Sequence, residues 1–300
     1  MHAGLSDLTV SFRTLGHSHH GTAPGDDRRH TGRVGGVHPI EHLRYIARSS
    51  GADQRTLVHE TASALRSLGD DPAGLLVGCR RLIERHPESG ALWWLAATLL
   101  LAAEPRSAAR EAAAAVTDDT TPDVLVDELP DGATVCVVGW PDLVGDAVVR
   151  RGDVSVVAVD TSDSGRGSAI ATARDLVRRL EQSDVDAELV GAAGLGAAAT
   201  SVDVLLVEAL AASPDALLVE RGSLAAASAA YCAGVPVWGV VGRGRVLPEA
   251  AFASVAERST EVRRPWDARF EVVPLALLTD VRSEEHTSEL QSLAYLVCRL

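Results

Sequence analysis

Residues 202–241 read VDVLLVEALAASPDALLVERGSLAAASAAYCAGVPVWGVV, and their pattern decides the fold. VDVLLVEA (202–209), DALLVE (215–220) and VPVWGVV (235–241) are short runs, apolar at nearly every position. Such runs fit strands buried on both faces, the condition of a parallel sheet covered by helices. SLAAASAAYCAG (223–234) lies between the second and third runs and has the length of a crossover helix. It ends at Gly234 with Pro236 just beyond, a helix stop followed by a strand.

The same grammar extends upstream. TVCVVG (134–139), VSVVAVD (154–160) and AELVG (187–191) are runs of the same kind, and SGRGSAIATARDLVRRLEQS (164–183) is a second crossover helix. Residues 133–281 are therefore predicted as a Rossmann-like α/β domain with a parallel sheet.

Before residue 118 the period becomes helical. HPIEHLRYIARSS (38–50) starts with Pro39 near a first helical position and repeats Ile40, Leu43 and Ile46. QRTLVHETASALRSL (54–68) stacks Leu57, Val58, Ala62, Leu65 and Leu68 on one stripe. Asp71 caps Pro72 at the start of PAGLLVGCRRLIERH (72–86), and ALWWLAATLLLAA (91–103) is apolar on nearly every face, as a buried helix would be. Trp93 and Trp94 read as core or inter-domain packing. The fold class is α/β: an N-terminal helical domain over 38–117, a hinge at 118–132, then the Rossmann-like domain.

The two ends do not read as fold. Residues 1–37, which include HSHHGTAPGDDRRHTGRVGG, lack apolar periodicity and are expected to be disordered. Their histidines His17, His19, His20 and His30 are read as part of a flexible start rather than a metal site. RSEEHTSELQS (282–292) resembles the in-frame translation of a sequencing-library adapter, so 282–300 are expected to be an artefact tail.

Composition narrows the function. The net charge of −13 argues against a nucleic-acid partner, which requires a basic face. The chain has no lysine and no asparagine, so all 28 basic residues are arginine, the mark of a GC-rich, bacterial-looking genome. Without lysine there is no Schiff base, no pyridoxal-phosphate attachment and no P-loop lysine. The four cysteines match no metal-ligand spacing, and Cys136 and Cys232 read as small core hydrophobes. No apolar run is long enough to span a membrane and no signal peptide is visible, so the expected location is cytoplasmic.

In a parallel sheet, ligands bind at the carboxyl ends of the strands. That rule selects Gly139, Trp140 and Asp142 after one strand, Asp160, Ser164, Gly165 and Arg166 after the next, and Glu208 after a third. Gly165 and Gly167 before a helix would offer free amides to a phosphate, and Arg166 would grip it bidentately or stand solvated. The GxG pieces fit no dinucleotide fingerprint, and no nicotinamide or other cofactor is expected.

The order of segments resembles a known superfamily: the regulatory subunits of translation initiation factor 2B, methylthioribose-1-phosphate isomerase and ribose-1,5-bisphosphate isomerase. The segments that carry it are RHPESGALWWLAATLL (85–100), VSVVAVDTSDSGRGSAIATARDL (154–176), the stretch 202–241 and FEVVPLALLTDV (270–281). Together they cover about residues 40–281. The isomerases use a cysteine after the first strand, an aspartate, and an asparagine–lysine pair. By position these fall at Gly139, Leu210 and Val219 with Glu220. The resemblance thus implies the fold without the catalytic set, and no catalytic residue or metal ligand is assigned.

Gly222 and Ser223 are similar to the family's glycine–threonine at a helix N-terminus. With Arg221 beside them they complete the candidate ligand site. The resemblance implies a non-catalytic protein that binds a small phosphorylated ligand or a protein partner, and a homodimer formed through the α/β domain. The alternatives are an assembly subunit, or a sugar-phosphate isomerase whose chemistry has moved to Asp142, Asp160, Asp163 or Cys136.

Overall fold

The structure is a computed structural model that describes residues 53–162 and 172–284. The helix expected at 38–50, the N-terminal histidines, Ser164, Gly165 and Arg166 lie outside the described residues.

Helices open the described chain. α1 (Gln54–Arg66) is capped by Asp53, whose carboxylate accepts from Thr56 N at 2.7 Å, and it buries Leu57, Val58, Thr61, Ala62, Ala64 and Leu65. α2 (Pro72–Arg85) starts as expected, with Asp71 accepting from Gly74 N and Pro72 at the first turn. α3 (Gly90–Leu101) buries Leu92, Leu95 and Leu99. Its last two leucines, Leu100 and Leu101, are exposed, so the helix is less enclosed than its composition implies. α4 (Pro105–Thr117) packs its alanine face on α1. The stretch expected as a hinge carries a helix of its own, α5 (Thr121–Glu128).

The α/β region follows as β1 (Thr134–Val138), α6 (Asp142–Arg151), β2 (Ser155–Asp160), α7 (Ala173–Gln182), β3 (Ala187–Gly191), α8 (Leu195–Thr200) and β4 (Val204–Glu208). It continues with β5 (Ala211–Ala212), β6 (Ala216–Glu220), α9 (Ser223–Ala233), β7 (Val237–Val240), α10 (Glu249–Thr260), β8 (Phe270–Pro274) and β9 (Asp280–Arg282). Six strands form one sheet in the order β3-β2-β1-β4-β7-β9, every pair parallel.

β1 shows why its run is apolar throughout. Val135 and Val137 join the core on the α6–α7 side, while Cys136 and Val138 join the core on the α9 side. Both faces are covered, so no position is left for a polar residue.

Two sequence expectations need correction. DALLVE, expected in the parallel sheet, is instead the centre of a separate antiparallel sheet, β5-β6-β8. An apolar run specifies burial but not which neighbour it pairs with, and the short turn from β5 returns the chain antiparallel. Cys232 is exposed, whereas it was expected in the core. α9 turns Ser223, Ala226, Ala227 and Ala230 inward, and position 232 falls off that stripe. Cys136 is fully buried and its thiol is pushed up to about 12 by burial, as an inert core residue would be.

The helical and α/β regions are stitched together at one backbone carbonyl. Leu210 O accepts from Gly90 N at 3.0 Å and from Gln54 Nε2 at 3.2 Å. Trp93 and Trp94 pack against the cluster of Ala211, Leu218, Leu247, Phe252 and Val255, which is the inter-region role expected for them. Past residue 281, Arg282 stacks over the Trp238 ring at 4.3 Å, and Glu284 accepts from Thr120 N at 2.7 Å at the start of α5.

Candidate functional site

The strand order reverses direction between β1 and β4, and at such a switch point the loops leaving adjacent strands part to form a crevice. Gly139 and Trp140 leave β1 there, and Glu208 closes β4.

Glu208 occupies the crevice from within. Its Oε2 accepts from Leu143 N at 2.8 Å and Val144 N at 3.1 Å, the free amides of the first turn of α6. Its Oε1 accepts from Arg245 Nη1 at 2.8 Å, and Arg245 also donates to Ala209 O at 2.7 Å. The two side chains are only 7% and 5% exposed. A carboxylate of the chain thus sits where a helix N-terminus would otherwise attract an anion.

A second carboxylate lies beside the first. Asp142 Oδ1 accepts from Trp140 Nε1 at 2.6 Å. Its pKa is pushed up to about 7 by burial first and by Glu208 next, with Arg245 opposing and Asp53 adding to the rise.

The third is Glu220, at the end of β6. It accepts from Trp140 N, and burial raises its pKa against the pull of Arg269. Gly139 faces it with φ +71°, and a Cβ built there would fall 1.9 Å from Glu220 Oε2. Glycine is required at 139 twice over, by the backbone and by the neighbouring carboxylate.

The fourth is Glu271 on β8, which accepts from Leu224 N at 2.6 Å and from Gly222 N at the start of α9. Burial raises its pKa. Gly222 holds φ +98° and Ser223 is buried. The glycine–serine turn is therefore present, but its amides already hold a carboxylate. Arg221 donates from Nη2 to Thr161 O at 2.9 Å and from Nη1 to Trp266 O at 3.3 Å, which ties the end of β2 to the loop before β8. Asp160 accepts from Ser162 N at 2.9 Å in a local turn.

Gly139, Trp140, Asp142 and Glu208 therefore meet at the switch point. Asp160, Arg221, Gly222 and Ser223 form a second group across β2, β6 and α9. The positions at which the resemblance would put a catalytic set are occupied otherwise: Gly139 faces Glu220, Val219 is fully buried in β6, and Leu210 acts through its backbone. Arg245 and Glu271 were not read from the sequence. Arg245 follows β7, itself a strand end, so the strand-end rule could have found it. Nothing local marks Glu271, whose partner amide at Leu224 is 47 residues away.

No family model matches the sequence, and no curated protein matches it. Solved structures do share its fold. The translation initiation factor eIF-2B of Pyrococcus horikoshii OT3 superposes with a TM-score of 0.68 at 16% identity, over 82% of this chain and 94% of that one. The tetrameric eIF2B-beta2-delta2 complex of C. thermophilum gives 0.66 at 16% identity, over 87% and 93%. The delta subunit of eIF-2B from A. fulgidus gives 0.53 at 15% identity, over 82% and 86%. The chain has the initiation-factor-2B fold along nearly the whole length of these proteins.

Proposed function

We propose that this chain, built on the initiation-factor-2B fold, is a non-catalytic protein that works by binding a protein partner, with self-association through its α/β region. One observation carries the reading: Glu208 lies on the α6 amides with Arg245 locked to it, so the chain's own carboxylate takes the seat an anionic substrate would need. Glu271 does the same at α9. A phosphorylated ligand would have to displace a buried, ion-paired carboxylate at the first position, or lie against Glu220 and Glu271 at the second. Each route adds like-charge repulsion to a desolvation cost. The partner-binding reading needs neither.

The chemistry of isomerisation points the same way. Moving a carbonyl along an opened sugar phosphate needs positioned proton donors and acceptors and a clamped phosphate. Glycine stands at the cysteine position and glutamate at the lysine position. A solved structure of this fold is a tetrameric complex, which supports assembly as the working mode.

The test is a turnover assay with methylthioribose-1-phosphate and ribose-1,5-bisphosphate, run beside a solution mass measurement. The expected result is no turnover of either and a mass of at least two chains. Turnover of either sugar phosphate would overturn the non-catalytic reading, and a monomer at all concentrations would overturn self-association.

A further inference from the structure

Beside the Glu208–Arg245 pair, a cavity of about 330 Å³ opens between the start of α1 and the start of α6. That volume is at the small end of ligand pockets, which begin at roughly 300 Å³. Its lining carries charges of both signs. In one group Asp146 is shared by two guanidinium groups, Arg179 and the more distant Arg55 at 3.6 Å, so positive charge exceeds negative. In a second group stand Asp53 and Asp142, and the charge of Asp53 adds to the cost of ionising Asp142. Arg245, the nearest cation, is already bonded to Glu208. Asp142 Oδ2 has no hydrogen-bond partner among the described residues. The Trp140 ring forms a further wall, held by its bond to Asp142.

We infer that this cavity binds a small zwitterion of the free α-amino-acid class, its carboxylate toward Arg55 and Arg179 and its ammonium toward Asp142 and Asp53. A ligand with one charge would satisfy one group and face repulsion at the other. A dipolar ion of this size satisfies both, and guanidinium suits a carboxylate geometrically. Trp140 adds an aromatic face for the ammonium or the side chain. The raised affinity of Asp142 for protons is the mark of an anionic group without its cation, which a bound ammonium would supply. The inference goes beyond partner binding and does not depend on the absence of turnover. It gives a partner-binding protein a nutrient-sized effector site at the junction of its two regions.

The test is thermal-shift screening of the full chain with the twenty standard L-amino acids, alongside acetate, inorganic phosphate and ethylamine. Titration calorimetry follows on any hit. At a hundredfold excess over Kd, at least one amino acid should raise the melting temperature by about 5 °C or more. Acetate, phosphate and ethylamine should not. Asp142→Asn, which keeps the acceptor for Trp140, and Arg55→Ala, a half-exposed residue outside the core, should each weaken binding at least tenfold while leaving a folded protein. The idea is sunk by no response to any amino acid, by an equal response to a singly charged probe, or by affinity unchanged in both variants.

Discussion

Asp142 carries a carboxyl group that is costly to ionise where the fold puts it. Unfolded, it titrates near 3.8; folded, burial, Glu208 and Asp53 outweigh Arg245 and bring it to about 7. Below the lower value both states are protonated and the group favours neither. As pH rises between the two values, the unfolded chain gives up its proton first, so the folded state loses relative stability. Asp142→Asn removes that penalty while keeping the bond from Trp140. The variant should match the parent near pH 4 and exceed it near pH 8 by an amount on the order of 2 kcal/mol, discounted for the solvent that reaches the cavity. Urea denaturation midpoints at several pH values would show it. A difference that does not grow with pH would mean that the group is solvated in the folded state.

At the scale of elements, Glu208 ends β4 and caps α6, so one side chain fixes how a strand and a helix meet. Glu208→Ala would leave two amides of α6 without an acceptor and the buried Arg245 without its ion-pair partner. The expected loss is about 3–5 kcal/mol, read from denaturation midpoints. Adding Arg245→Met should recover a large part of it, because no unpaired guanidinium is then left buried. The sequence shows both elements but not this joint. The β1, β4 and β7 runs are legible because burial on two faces leaves a composition that any reader can see. The pairing of Glu208 with Arg245 spans 37 residues and leaves no local trace. DALLVE failed for a related reason: an apolar run records that it is buried and not against what. Gly139, Trp140, Asp142 and Glu208, four of the residues that the strand-end rule selected, meet at the switch point, since that rule follows from sheet topology. Glu220 and Glu271, which fill the space between them, stand on β6 and β8 of the second, antiparallel sheet, which the rule does not reach.

For the whole molecule, the joint at Leu210 ties the helical region to the α/β region, so the two are expected to unfold together. Trp93 and Trp94 lend the helical bundle to the core under the second sheet, and Gly90 approaches Leu210 so closely that a Cβ would lie 2.8 Å from its carbonyl oxygen. Calorimetry should give a single thermal transition for both regions, coincident with the change in tryptophan fluorescence. Gly90→Ala, which at an open helical position would gain up to about 1 kcal/mol, should instead lower the melting temperature. Two separate transitions in the parent would mean that the joint does not couple the regions.

Gly139 and Glu220 also constrain which substitutions the chain can accept. A cysteine at 139, or any residue with a Cβ, would collide with the Glu220 carboxylate. Changing Glu220 first would strip Trp140 N of its acceptor before any benefit arrived. Each single exchange passes through a less stable sequence, so the pair acts as an interlock. Neither residue can be exchanged alone without cost, so the two positions can change only together.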